Sequence, residues 1–304
     1  MKYYKISSFD NEQDLQRFVA ECEEQLEARM DAAISTLRDV KDLRFCGLTG
    51  PTCSGKTTAA RKMTEMLEAH GLCVRVISLD DFYYDKEYLH RRAENDPNIE
   101  IDYDSEETID IDLLSDVAAR LFAGERTPMP HFNFKSGMRE EGELIEPREN
   151  DVFLFEGIQT LYPRVSEILN RHHSYRSISI FPQSSIEVGG KRFLPNEIRL
   201  YRRLVRDHLH RATDSEFTLY LWKSVRENEN RNIFPNLDVC HASIDSTMPY
   251  EIGMLKPYLE PLMRKIAPQS AFYEKAQEIL ENLRDVQPVS ADYIFERSLY
   301  KEFI

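Results

Sequence analysis

Cysteine is scarce and scattered. The five, Cys22, Cys46, Cys53, Cys73 and Cys240, contain no C-x-x-C pair and no zinc-ligand spacing. That speaks against a disulfide framework or structural zinc, and the expectation is a cytoplasmic chain with reduced thiols. Long apolar runs are missing too: none approaches the roughly 18 residues that suggest a membrane span. The opening segment, MKYYKISSFDNEQD, has no apolar signal core. There is no excess of basic residues either. Lys plus Arg number 39 against 53 Asp plus Glu, a formal net charge of −14. Such a surface repels nucleic-acid backbones and anionic membranes, so neither is an expected partner, and any anion must be held by a local basic patch. No internal repeat, low-complexity tract or Gly/Ser linker divides the 304 residues, and one domain spanning 1–304 is expected.

What is present is a regular alternation of elements. Over residues 10–40 the apolar side chains Leu15, Phe18, Val19, Cys22, Leu26, Met30, Ala33, Ile34 and Leu37 recur at steps of three and four, which predicts an amphipathic N-terminal helix within 1–42. Short buried strands are predicted at 43–50, 73–81, 151–157, 175–182 and 237–244, with helices at 56–70 and 113–124 closed by Gly71 and Gly124. Residues 250–284 read as helical, continuing into a helical extension over 268–304. Strands alternating with helices predict an α/β fold: a parallel five-stranded sheet with helices on both faces, plus extra N- and C-terminal helices.

The stretch Gly50, Pro51, Thr52, Cys53, Ser54, Gly55, Lys56, Thr57, Thr58 satisfies G-x-x-x-x-G-K-[ST] and lies between a predicted strand and a predicted helix. Glycines let successive N–H groups curl toward phosphate oxygens, and the following helix adds the positive end of its dipole. Lys56 is then placed to reach the outer phosphates of ATP, and the Thr57 hydroxyl to ligate Mg²⁺. The fold predicted is that of the P-loop NTPases. The second strand ends SLDDFYYD, where either Asp80 or Asp81 points into the crevice at which α/β proteins bind ligands; acids there also form turns, and spacing does not choose between the two.

Six segments in order, GPTCSGKTT, SLDDFYYD, YDSEETIDIDLL, MPHFNFKSGMR, VFLFEGIQTLY and RLYRRLVRD, resemble the uridine kinase family, a branch of the P-loop kinases that includes phosphoribulokinase. The resemblance covers about residues 44–211, and the segments beyond it look like the longer bacterial uridine kinase-like proteins. It implies ATP- and Mg²⁺-dependent phosphorylation of a nucleoside 5′-hydroxyl, uridine or cytidine first, by a kinase core over 43–267. Asp80 falls at the family's catalytic base, Tyr83 at a substrate-pocket aromatic, Asp104 at the aspartate gripping the ribose hydroxyls, and Glu156 at the acid suited to Mg²⁺. Phe132, Phe134 and Ile158 fall in the acceptor pocket. The helix containing Arg199, Arg203, Arg206 and His210 at steps of three and four, with Arg202 and Arg211 at its margin, resembles the family's lid near 197–213. Arg203 and Arg206 are implied in catalysis, and Arg206 and Arg211 in holding ATP.

Three departures stand out. Phe132 stands where the family has tyrosine and Gly137 where it has histidine, and Thr213 replaces a further lid arginine. These motivate a second expectation, a kinase of another sugar, sugar phosphate or small alcohol. A third is a nucleotide-binding regulatory protein without catalysis, its helical extensions serving as partner surfaces, a second copy of the chain included.

Overall fold

The computed structural model describes residues 3–95, 105–171 and 175–304. In chain order, β1 (Tyr3–Ile6) and α1 (Glu12–Arg38) precede β2 (Phe45–Thr49), α2 (Lys56–Glu68), β3 (Cys73–Ser78), α3 (Lys86–Asn95) and α4 (Ile111–Ala123). A hairpin of β4 (Thr127–Asn133) and β5 (Met138–Ile145) leads to β6 (Asp151–Glu156), α5 (Pro163–Asn170), β7 (Arg176–Phe181), β8 (Ser185–Val188) and β9 (Lys191–Phe193). Last come α6 (Pro195–Arg211), α7 (Ser215–Asn228), β10 (Ala242–Asp245), α8 (Glu251–Arg264) and α9 (Tyr273–Leu283).

The central sheet has five strands in the order β10-β7-β2-β6-β3, parallel throughout. Side chains alternate between its faces, as the strand repeat of two requires. Phe45, Ile77, Phe153 and Phe155 pack with α4 and α5 through Leu114, Val117, Leu121, Val165 and Ile168. Cys46, Leu48, Val152, Leu154, Ile178 and Ile180 pack on the opposite face with α1, α2, α6 and α8. The parallel sheet covered on both faces that the alternation predicts is therefore present. The Asn11 side chain caps α1, accepting from the Asp14 N–H at 2.9 Å. The apolar stripe of α1 is buried from Leu15 to Leu37. Each Leu- or Ile-sized side chain contributes about 1.5–3 kcal/mol there, so the stripe is spent on the chain's own core and is not a surface for a partner.

Some elements differ from the sequence reading. The fifth strand is Ala242–Asp245 rather than 237–244; Phe234–Val239, which carries Pro235 in its first turn, is a 3₁₀ turn. The second strand stops at Ser78, and Leu79–Phe82 is another 3₁₀ turn, so Asp80 and Asp81 sit on the turn and not on the strand. The β4–β5 hairpin and the small β1-β8-β9 sheet lack an apolar pattern strong enough to announce them. Beyond α9 the chain is not helical apart from the 3₁₀ turns Ala291–Tyr293 and Leu299–Glu302. This tail returns to the phosphate loop: Leu299 lies where a Cβ on Gly55 would stand, 2.2 Å away, and Gly55 itself is left-handed at φ +100°, so only glycine serves there. The Tyr300 hydroxyl donates to Glu251 at 2.5 Å, and the Ser298 hydroxyl donates to Glu23 of α1 at 2.5 Å.

Arg202 and Glu251 form a fully buried pair, 2.7 Å and 3.1 Å between their polar atoms. Neutralising one partner leaves the other charge uncompensated in the interior. Glu251→Gln is expected to destabilise the fold by about 3–5 kcal/mol, read as a lower urea midpoint. The double variant Arg202→Met/Glu251→Met should recover part of that loss.

Candidate active site

The phosphate loop joins β2 to α2. Its conformation is demanding, with Cys53 left-handed at φ 56°, where a non-glycine residue is strained. Two buried arginines of α6 hold it from behind. Arg199 Nε donates to the Thr52 carbonyl at 2.9 Å and is neutralised by Glu229. Arg202 Nη1 donates to the Cys53 carbonyl at 3.2 Å and Nη2 to the Ser246 carbonyl at 2.7 Å. Two consecutive loop carbonyls are thus pinned by guanidinium groups. Lys56 Nζ donates to the carbonyls of Gly50 at 3.0 Å and Pro51 at 3.4 Å. The N–H of Thr58, in the first turn of α2, donates to Glu302 of the tail at 3.2 Å.

This loop floors a cleft of about 830 Å³ lined by Thr52, Cys53, Ser54, Lys56 and Thr57 on one side. Asp80, Tyr83, Phe134, Glu156, Ile158 and Gln159 line another, and Arg203, Arg206 and Arg211 a third. The choice between the two acids is made by packing. Asp81 turns to the hairpin, accepting from the Phe132 N–H at 2.9 Å, whereas Asp80 faces the cleft. Asp80 Oδ1 accepts from Gln159 Nε2 at 2.7 Å, and the same nitrogen donates to the Tyr83 hydroxyl at 2.6 Å. Gln159 Oε1 is buried without a partner, a cost of about 1–3 kcal/mol. Burial holds the Glu156 carboxyl above its usual range; Lys56 opposes this, and the charges of Asp80 and Glu302 add to it.

The arginines divide by depth. Arg199 and Arg202 are enclosed and serve the loop; Arg203 and Arg206 reach the cleft. Both are tethered to the buried Asp207, Arg203 at 3.2 Å and Arg206 at 2.7 Å. Arg211, mostly exposed, stands 3.8 Å from the same carboxylate. His210 is exposed, so the face read from the steps of three and four is split between two tasks.

Beside the cleft, sharing Tyr83 and Phe134 with it, is a pocket of about 350 Å³ lined also by Tyr84, Lys86, Leu89, Thr108 and Phe132. Phe132 is 4% exposed and Phe134 60%. Their rings meet edge-on with centroids 5.1 Å apart, and Tyr83 meets Phe132 at 5.5 Å. Gly137 is left-handed at φ +71°, and a Cβ there would lie 2.6 Å from the Lys86 side chain. The stem of Lys86 thus takes the room that a side chain at 137 would need. Asp104 lies outside the described residues.

Gln159, Lys86 and Glu302 are the functional candidates that sequence reading misses. Gln159 carried a weak signal, a buried amide in the turn Ile158–Leu161 just after the strand that ends in Glu156. Lys86 and Glu302 carried none. A single turn of π-helix at Glu229–Ile233 brings Glu229 and Ile233 to the cleft wall, at the kind of place where such turns recur. Among the described residues no group of three or more His, Cys, Asp or Glu could hold a metal ion. Mg²⁺ commonly takes only one or two protein oxygens and completes its shell with water and phosphate. The exposed Thr57 hydroxyl and the Glu156 carboxylate, both lining the cleft, fit that habit. No helix among the described residues is long and apolar enough to cross a membrane.

Comparisons with known proteins identify relatives of this chain. A uridine kinase of Clostridium botulinum (strain 657 / Type Ba4) is 30% identical over 179 residues, covering 58% of this chain and 75% of the relative. The uridine kinase of Clostridium novyi (strain NT) is 28% identical over 177 residues, 58% of this chain and 74% of the relative. Among solved structures, D-glycerate 3-kinase from Cryptococcus neoformans var. grubii superposes with a TM-score of 0.49 at 15% identity, covering 72% of this chain and 90% of that one. Nothing about the acceptor follows from so remote a likeness. Residues 45–252 match the family described as Phosphoribulokinase / Uridine kinase, a span from the first strand of the central sheet into α8, and the chain belongs to that family.

Proposed function

We propose that this kinase transfers the γ-phosphoryl group of ATP to the 5′-hydroxyl of a nucleoside, uridine or cytidine first. The observation carrying the reading is the convergence on one cleft of the phosphate loop, a carboxylate free on one oxygen, and three arginines, with an aromatic pocket opening beside them. In this reading the N–H groups of the loop, with Lys56, hold the phosphate chain. Asp80 accepts the proton of the acceptor hydroxyl as that oxygen attacks the γ-phosphorus. Arg203, Arg206 and Arg211 offset the charge of the transferring group. Thr57 and Glu156 would hold Mg²⁺, which neutralises phosphate charge when bound. Tyr83, Phe132, Phe134 and Ile158 pack on the acceptor, and Asp104 is proposed for the ribose hydroxyls.

One observation favours a second acceptor class. The Lys86 ammonium has no hydrogen bond or ion pair among the described residues, and it belongs to the aromatic pocket. An acceptor with an anionic group, such as a sugar phosphate, would supply the missing partner.

ADP release measured against uridine, cytidine, sugar phosphates and short polyols tests both readings. Turnover of a pyrimidine nucleoside supports the first; silence with every nucleoside alongside turnover of a sugar phosphate supports the second. With the active acceptor, Asp80→Asn should lower turnover by about 10²–10⁴-fold, the span of a general base; wild-type turnover would remove Asp80 from the chemistry. Gly137→Ala, whose Cβ collides with Lys86, should raise KM for the acceptor and leave KM for ATP unchanged. Glu302 occupies an N–H at the positive end of α2, so Glu302→Gln should tighten ATP binding by about two- to fivefold, the 0.3–1 kcal/mol of a charge at a helix terminus. Isothermal titration reads that change.

A further inference from the structure

We infer that Gln159 is a positioning residue for Asp80: its amide nitrogen clamps one Asp80 oxygen and the Tyr83 hydroxyl together, leaving the other Asp80 oxygen to meet the acceptor alcohol. The inference rests on the reading of Asp80 as the base. Gln159 is 2% exposed and sits on the 3₁₀ turn that follows β6, directly across the cleft wall from the turn that carries Asp80. Its single Nε2 spends both hydrogens, one on Asp80 Oδ1 at 2.7 Å and one on Tyr83 at 2.6 Å. The orientation of the amide is fixed by chemistry, because the flipped form would set a carbonyl oxygen against a carboxylate. Asp80 Oδ2 has no partner among the described residues, so the clamp determines which oxygen faces the cleft and at what angle.

The other end of the same amide argues that this is not a packing role. Among the described residues, Gln159 Oε1 is buried with nothing to accept from, a state that an apolar side chain of equal length would avoid. Methionine has that length and no orphaned acceptor. A glutamine kept only for structure would therefore be the poorer choice. Gln159 lines the cleft and bonds Tyr83, which belongs to both the cleft and the aromatic pocket, in line with a part that registers the base against the acceptor.

The test compares Gln159→Met with wild type on the full chain, using ATP and Mg²⁺ with uridine, cytidine and a sugar phosphate as acceptors. Gln159→Met should lower kcat by about 10–100-fold, as misplacing a reacting group does, with KM for ATP unchanged and Tm equal to or above wild type. In an Asp80→Asn background the same substitution should cost nothing further, because both changes disable one unit. An unchanged kcat overturns the inference. So does a fall in kcat accompanied by a lower Tm and weaker ATP binding, the pattern of a structural residue. If Asp80→Asn itself keeps wild-type turnover, or wild type turns over none of the three acceptors, the reading of Asp80 fails first and takes the clamp with it.

Discussion

The site depends on a grip: two guanidinium groups, out of contact with water, holding consecutive carbonyls of the phosphate loop. A peptide whose carbonyl is pinned outward presents its N–H inward, and a run of such peptides is an anion cradle. The loop does not adopt this shape cheaply, since Cys53 is left-handed without being glycine; such strain persists only where the surroundings over-determine it. Arg199 and Arg202 supply that over-determination. Each is neutralised by a glutamate distant in sequence, Glu229 and Glu251. The tail adds Tyr300 to the second of these pairs, and α1 is tied to the tail through Glu23. Terminal segments that look like decoration are thus part of what keeps the loop in shape.

Electrostatics around the cleft follow from a conflict. A chain of net charge −14 crowds three arginines on one buried carboxylate, Asp207, and in the proposed function they meet the polyphosphate. That aspartate limits their mutual repulsion and aims them, at the expense of some of their attraction for phosphate. Burial raises the affinity of Glu156 for its proton, and the charges of Asp80 and Glu302 add to this against the pull of Lys56. Cations and carboxylates lining one cleft suit the proposed reaction, in which negative charge moves from a nucleotide to an alcohol.

The aromatic pocket beside the cleft draws on the hairpin and the start of α3. Phe132 forms a buried floor and Phe134 an exposed wall, both edge-on to their neighbours. The space beside Gly137 is filled by Lys86, whose stem lies where a Cβ would stand and whose backbone N–H bonds the Gly137 carbonyl at 2.9 Å.

The phosphate loop, the alternation of strands and helices, and the buried stripe of α1 were legible from residues alone, because each is a local pattern whose period or spacing follows from backbone geometry. The small sheet, the hairpin and the end of the second strand were not, since short strands on a surface carry little periodicity. The arginines of α6 show the boundary most clearly. Their spacing declared a cationic helix, but Arg199 and Arg202 serve carbonyls while Arg203 and Arg206 face the cleft, a division set by Glu229 and Glu251 from 30 and 49 positions away. Gln159 reaches Asp80 across 79 positions and Glu302 reaches Thr58 across 244. Contacts between residues so far apart leave no mark on local pattern, because folding alone brings the partners within a hydrogen bond's length.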